Sequence, residues 1–324
     1  EVNIAPIAKQ RFKKDRYNNI DDLIVEKYND YLMSDFSNSK DFLVIAASND
    51  LAKLEIKGKE KEKTVYSFFS KRKIDDKFFN FMKENAASNI VDTENLTQIL
   101  KNKEMLSIQI TPFDSRLRLG HSQQSNKSKI LFLVNGIKHT MQKEILKKIL
   151  IYMKKYKDVE LVVASYNEND KASYQKHFNE LLNAEPQFSE FVFDKPADNN
   201  GFVENSVAVE QQKQRNIRWK KMWTENDFIE ELSDTRLIID LAQVPDLFLQ
   251  IAAISAGIPQ INQVETDYVK NKKNGLIISR LEELSGAMKY YLNGLSNWNK
   301  ALVYTTNQIS KFSSKQLVKQ WMKL

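Results

Sequence analysis

From Ile130 onward the chain alternates continuous apolar runs with amphipathic helices, and few folds accommodate that order. Residues 130–134 are an unbroken run of strand formers, 141–156 carry apolar residues at a helical period, and 159–164 form a second apolar run. A helix over 171–182, a strand over 188–193, a loop at 198–201, a helix near 228–232 and a strand over 236–241 continue the series. A helix over 246–256 stopped by Gly257, a strand over 259–262 and helices over 281–294, 298–306 and 314–322 complete it. Strands without polar alternation are buried on both faces, and the intervening helices supply the cover. The expected class is therefore α/β, a doubly wound parallel sheet.

Upstream the pattern is looser. Ile20, Leu23, Ile24, Tyr28 and Leu32 predict a helix over 18–36, and the run 42–47 predicts a buried strand. Residues 53–73 hold eight basic and three acidic side chains, with Tyr66, Phe68 and Phe69 the only aromatics. That composition predicts an exposed strand pair or loop, and Lys57, Lys59, Lys61 and Lys63 are a candidate interaction surface. Helices over 77–89 and 94–101 and a strand over 105–110 follow. Residues 116–129 have the polar composition of a linker, so the expected domains are 1–120, a partial N-terminal lobe with a basic extension, and 121–324, a Rossmann-like lobe.

Composition removes several functions. The chain has no cysteine, hence no disulfide, thiolate metal site or cysteine nucleophile, and its three histidines match no metal-binding spacing. No apolar run reaches membrane-spanning length and no secretory leader is visible, so a cytoplasmic protein is expected. The net charge of +7 lies over a mixed surface of 49 basic and 42 acidic residues, and it points to acidic partners, a weakly bound anionic membrane surface among them. The sequence opens at Glu1 without an initiator Met or a complete first nucleotide-fold unit, which suggests a missing N-terminal region.

In a doubly wound sheet, ligands bind beyond the carboxyl ends of the strands, where helix N-termini offer free N–H groups. Residues 244–261, with the downstream Asn274-Gly275 turn, resemble the donor-binding core of retaining GT-B glycosyltransferases. Aligned on Gly257-Ile258-Pro259 and Asn274-Gly275, the scaffold matches and the ligand groups do not. The ribose-binding glutamate falls on Ala252, the other glutamate on Val244, and the two phosphate-approaching glycines on Pro245 and Leu247. Pro245 offers no N–H, and Leu247 would crowd a pyrophosphate. After the strand 130–134, the family's diphosphate-neutralising arginine and lysine fall on Gly136 and Met141.

The run Thr111-Pro112-Phe113-Asp114-Ser115-Arg116-Leu117-Arg118, together with Pro245–Ile251 and Gly257–Ile261, resembles the Asp-one family of the accessory Sec system. That resemblance implies a noncatalytic, GT-B-like component without cofactor or metal. Its implied partners are the other Asp proteins, the accessory SecA motor and a serine-rich repeat glycoprotein adhesin. The alternative is an active GT-B glycosyltransferase that modifies such an adhesin. Asp114 can also be read structurally, as an ion-pair partner of Arg116 or Arg118 that braces the domain junction.

On a helix Trp219 and Trp223, four residues apart, would share a face flanked by cations such as Arg218, which could meet a partner, a membrane surface or single-stranded nucleic acid or else pack on the core. Nucleic acid binding rests on charge and this tryptophan pair alone and is not expected. Asp234 and Asp240 flank a strand, but the neighbouring Glu230 and Glu231 would project to different helix faces, which is wrong for paired-carboxylate hydrolysis.

Overall fold

The computed structural model describes residues 2–31, 43–46, 61–68, 76–111, 113–194 and 215–322. Two compact units result: one comprises Glu1–Pro112 with Phe312–Leu324, the other Phe113–Lys311.

In the first unit, β1 (Val2–Asn3) pairs antiparallel with β2 (Arg16–Tyr17), and α1 (Ile20–Tyr31) follows. A four-stranded parallel sheet has the order β3 (Leu43–Ala46), β4 (Thr64–Phe68), β5 (Ser88–Val91), β6 (Ser107–Gln109). Helices α2 (Asp76–Asn85) and α3 (Glu94–Asn102) cover it, burying Tyr66, Phe78, Met82 and Leu100. Thr93 caps α3 by accepting from the Leu96 N–H at 3.2 Å. Two expectations fail here. Of residues 53–73 only 61–68 are described, and there β4 is no exposed strand pair, because Thr64, Val65 and Tyr66 are buried while Lys61 and Glu62 stay exposed. The helix expected over 77–89 stops at Asn85, whose amide donates to the Phe81 carbonyl, and Ala87 N–H then bonds Thr64 O, starting a strand that periodicity did not reveal.

The second unit contains β7 (Ser128–Leu133), α4 (His139–Lys155), β8 (Val159–Ser165), α5 (Asp170–Ala184), β9 (Phe191–Phe193), β10 (Arg215–Lys221) and α6 (Glu225–Leu232). It continues with β11 (Thr235–Asp240), α7 (Leu247–Ala256), β12 (Gln260–Asn262), β13 (Gly275–Ile277), α8 (Leu284–Leu292) and α9 (Ser296–Ser310). Helix α10 (Ser314–Trp321) belongs to the first unit. The seven strands are parallel in the order β13-β12-β11-β7-β8-β10-β9. Alternation along β7 divides the core: Ile130 and Phe132 face α4, α5 and α8, while Leu131 and Leu133 face α6 and α7. Gly257 ends α7 at φ 76°, and a Cβ there would strike the Leu302 and Leu119 side chains.

The unit boundary falls at Pro112/Phe113 instead of 120/121. The polar stretch 116–129 is packed: Leu117 is buried, Gly120 N–H bonds Ala256 O at 2.9 Å, and the Arg236 guanidinium holds the carbonyls of Ser122 and Ser125 at 3.1 and 3.2 Å. Carbonyls that look like linker in sequence are satisfied by a buried arginine more than a hundred residues away.

Candidate functional site: the carboxyl end of the sheet

The chain leaves β7 for β8 on one side and later returns to β11 on the other, so the topological switch lies between β7 and β11. In this class of fold the crevice beyond that point is the ligand site. Here three of its N–H groups are spent internally, while the Asn262 side-chain oxygen at the end of β12 is buried without a partner. Asp240, at the end of β11, is fully buried and accepts the N–H groups of Ala242 at 3.1 Å and Asp246 at 3.0 Å. Asp246 caps α7, its carboxylate accepting from Leu249 N–H at 2.8 Å. At the turn into α7 three N–H donors thus already hold two carboxylates of the chain itself, whereas the first turn of α4 has no side-chain cap. Burial pushes the Asp240 carboxyl up to about 6, against the lowering effect of its two N–H donors. Burial, with Asp246 and Asp240 nearby, also raises the Tyr166 hydroxyl.

The positions singled out from the sequence surround this crevice unevenly. Gly136, at φ 72°, turns the chain after β7, and its Cβ would meet that of Ala242 at 3.2 Å. Asn135 beside it accepts from the Tyr166 N–H at 3.0 Å. Met141 packs on the core from α4. Pro245 is buried, whereas Val244 is 85% exposed. Leu247 joins an apolar cluster of Ile251, Ile254 and Tyr268, and Ala252 packs beside Leu249 and Ala253. The decisive pair, Asp240 and Asp246, was not identified as the occupant of the N–H donors. An Asp three residues before Leu249 is an N-cap signal that could have shown half of it.

The whole chain, residues 1–324, matches the family model described as accessory Sec system protein Asp-one. The chain belongs to the Asp-one family. A curated Asp-one protein of Streptococcus gordonii is 33% identical over 331 residues, 99% of this chain and 62% of that protein. The solved glycosylation associate protein (Gap123) complex of Streptococcus agalactiae superposes with a TM-score of 0.78 at 30% identity, covering 98% of this chain and 61% of that one. A Staphylococcus aureus TarM structure holding UDP superposes at 0.51 with 14% identity over 85% of this chain and 52% of that one, a likeness of GT-B fold alone. The chain spans about three-fifths of the length of its Asp-one relatives.

Elsewhere the structure separates what the sequence had grouped. Residues 215–221 are a strand, not a helix: Ile217 and Trp219 turn inward, Trp219 meeting Tyr174 and Phe193 at 6.0 and 6.2 Å, while Trp223 lies past the strand and is 75% exposed under the Lys221 ammonium. The period is two, and the tryptophans share no helix face. Arg218 pairs with Glu231 at 3.1 Å. Lys61 is exposed and Lys63 ends the same short 3-10 turn, while Lys57 and Lys59 lie outside the described residues. Asp114 pairs with Arg116 at 2.8 Å, and Arg116 also reaches Glu225 on α6, so the motif braces the second unit. Asp234 and Asp240 stand at opposite ends of β11 and make no acid/base pair.

The amino end of the sheet holds a feature that the sequence did not announce. A cavity of about 410 Å³ opens there between Lys127, Lys157, Glu160, Arg215 and Arg218, with Met153 and Leu161 in its walls. Arg215 donates to the carbonyls of Met153 and Val159, both at 2.6 Å, and stacks over Phe191. Behind it Lys129 and Glu231, 4% and 5% exposed, pair at 2.7 Å, with Asp234 a second partner of Lys129.

Proposed function

We propose that this chain is a noncatalytic scaffold of the accessory Sec export apparatus. It binds the other Asp proteins and the accessory SecA motor in the cytoplasm and carries a serine-rich repeat glycoprotein toward export, with weak contact to an anionic membrane surface and no nucleic acid partner. The reading is supported by the whole-chain family match, and by the Gap123 relative being a complex. The single observation that carries its noncatalytic part is the occupation of three N–H groups between β11 and α7 by Asp240 and Asp246. A sugar diphosphate arriving there meets buried negative charge in place of free donors, and no transition-state charge is stabilised.

The test pairs two assays of the same preparation. Uridine sugar nucleotides up to millimolar concentration leave the melting temperature unchanged, because a ligand bound only to the native state must raise it. The other Asp proteins co-purify with the chain. A concentration-dependent melting shift would instead support the transferase reading.

A further inference from the structure

Of the three histidines in the chain, two that are distant in sequence stand side by side in space. The His139 ring, on the first turn of α4, and the His177 ring, on α5, have centroids 5.2 Å apart with planes inclined at 48°. Two imidazoles that share one tetrahedral zinc ion, with Zn–N of about 2.0–2.1 Å, place their centroids roughly 5 Å apart. Two further observations bear on the pair. The Nδ1 atom of His177 is buried without a hydrogen-bond partner. The Nδ1 atom of His139 faces the Gln142 side-chain oxygen at 3.4 Å, and that amide is fixed because its nitrogen donates to the carbonyls of Val134 and Ile137 at 3.0 and 2.9 Å. A ring whose Nδ1–H is held by an acceptor presents its other nitrogen as a lone pair, the state a metal takes up.

The supporting frame is firm. Tyr174 and Phe178, on either side of half-buried His177 along α5, are in the core, and Gln142 is buried one turn beyond His139. One turn further along both helices, Lys143 and Glu180 approach at 3.9 Å, so the two helices stay close beyond the pair. Among the described residues no group of three or more His, Cys, Asp or Glu side chains converges. A bound ion would take its remaining ligands from water. We propose that His139 and His177 form a two-histidine site for a borderline divalent transition-metal ion, clipping α4 to α5.

Calorimetric titration of the full chain with zinc chloride in a non-chelating buffer tests this. Saturable binding of one ion per chain is expected, with His139→Ala and His177→Gln each weakening it at least ~10-fold, since even supporting residues of metal sites commonly cost that much. His121→Ala leaves it unchanged. His139 is exposed, so its variant stays folded, and circular dichroism in the absence of zinc verifies both. Absence of saturable binding to the parent chain, or equal binding by the His139→Ala protein, overturns the proposal.

Discussion

Asp240 and Glu231 are both buried carboxylates of the second unit, near opposite ends of the same seven-stranded sheet, and they are neutralised in different ways. Glu231 faces cations: Lys129 at 2.7 Å and Arg218 at 3.1 Å. Asp240 faces dipoles, the N–H groups of Ala242 and Asp246, together with the like charge of the Asp246 carboxylate, and among the described residues it makes no ion pair. Dipoles leave net charge in place, and burial accordingly raises its carboxyl to about 6. The amino end is thus a closed ionic joint, and the carboxyl end keeps the geometry of an anion site with the anion built into the chain.

The joint is the place to break this contrast most forcefully. Glu231→Ala leaves the Lys129 ammonium buried with only the half-exposed Asp234 beside it, and the expected loss is about 3 kcal/mol, the low end for breaking a buried pair. The paired replacement Lys129→Met with Glu231→Leu costs far less, because the charges that lose a partner, Arg218 and Asp234, are both about half exposed to water. Urea unfolding of both proteins measures the difference. A cost below about 1 kcal/mol for Glu231→Ala would show the joint to be no stronger than an exposed pair.

Asp240 supplies the next effect, and its sign is opposite to that of an ion-paired acid. Its folded value of about 6 lies above the ordinary 3.8, so its contribution to stability is fully present below pH 4 and is lost as pH rises through 6. The gap corresponds to about 3 kcal/mol at most. Asp240→Asn removes this titration. The parent-minus-variant stability from urea melts should therefore fall between pH 4 and pH 7, whereas a flat difference would mean that Asp240 stays ionised throughout.

Much of the second unit was legible because its strands are continuous apolar runs such as 130–134 and 159–164, which only a two-sided sheet buries. Short strands were the hard cases. Ser88–Val91 follows α2 so closely that the helix expected over 77–89 runs into it, and Arg215–Lys221 alternates charges with Ile217 and Trp219, so no strand is apparent there from the sequence. The linker reading of 116–129 failed for a long-range reason, since Arg236 satisfies its carbonyls. At the candidate site the expected departures from the GT-B pattern at Ala252, Val244, Pro245 and Leu247 come from alignment. What fills the place of the ligand could not, because Asp240 and Asp246 meet their N–H donors only once the turn after β11 has formed.

Ala252 sharpens the carboxyl-end half of the contrast. If the crevice is closed to phosphate by Asp240 and Asp246, restoring a carboxylate at the ribose position revives nothing. Ala252→Glu places its charge beside Leu249 and Ala253, and the expected outcome is roughly 1–3 kcal/mol of destabilisation with sugar-nucleotide turnover still undetectable. Co-purification with the other Asp proteins persists while the variant stays folded. Measurable turnover would place an intact enzyme behind the substitutions.

The smallest expected effect concerns the cations at the amino end. Several are engaged: Lys157 pairs with Glu190 at 2.7 Å, Lys127 pairs with Glu160, and Arg215 is committed to two carbonyls. Lys154 and Lys155, in the last turn of α4, have no carboxylate partner among the described ion pairs. Weak association with anionic lipid vesicles should then depend on the second set more than the first. A surface cation near an anionic membrane contributes about 1 kcal/mol or less, so Lys154→Gln with Lys155→Gln should weaken vesicle binding several-fold at low salt. Lys127→Gln with Lys157→Gln should change it less, because the charges removed were already compensated. In high salt all three proteins should lose binding together. Equal effects from the two double variants would show that pairing at this end does not screen its charge from a membrane, and the ionic joint would be confined to the buried Lys129 and Glu231.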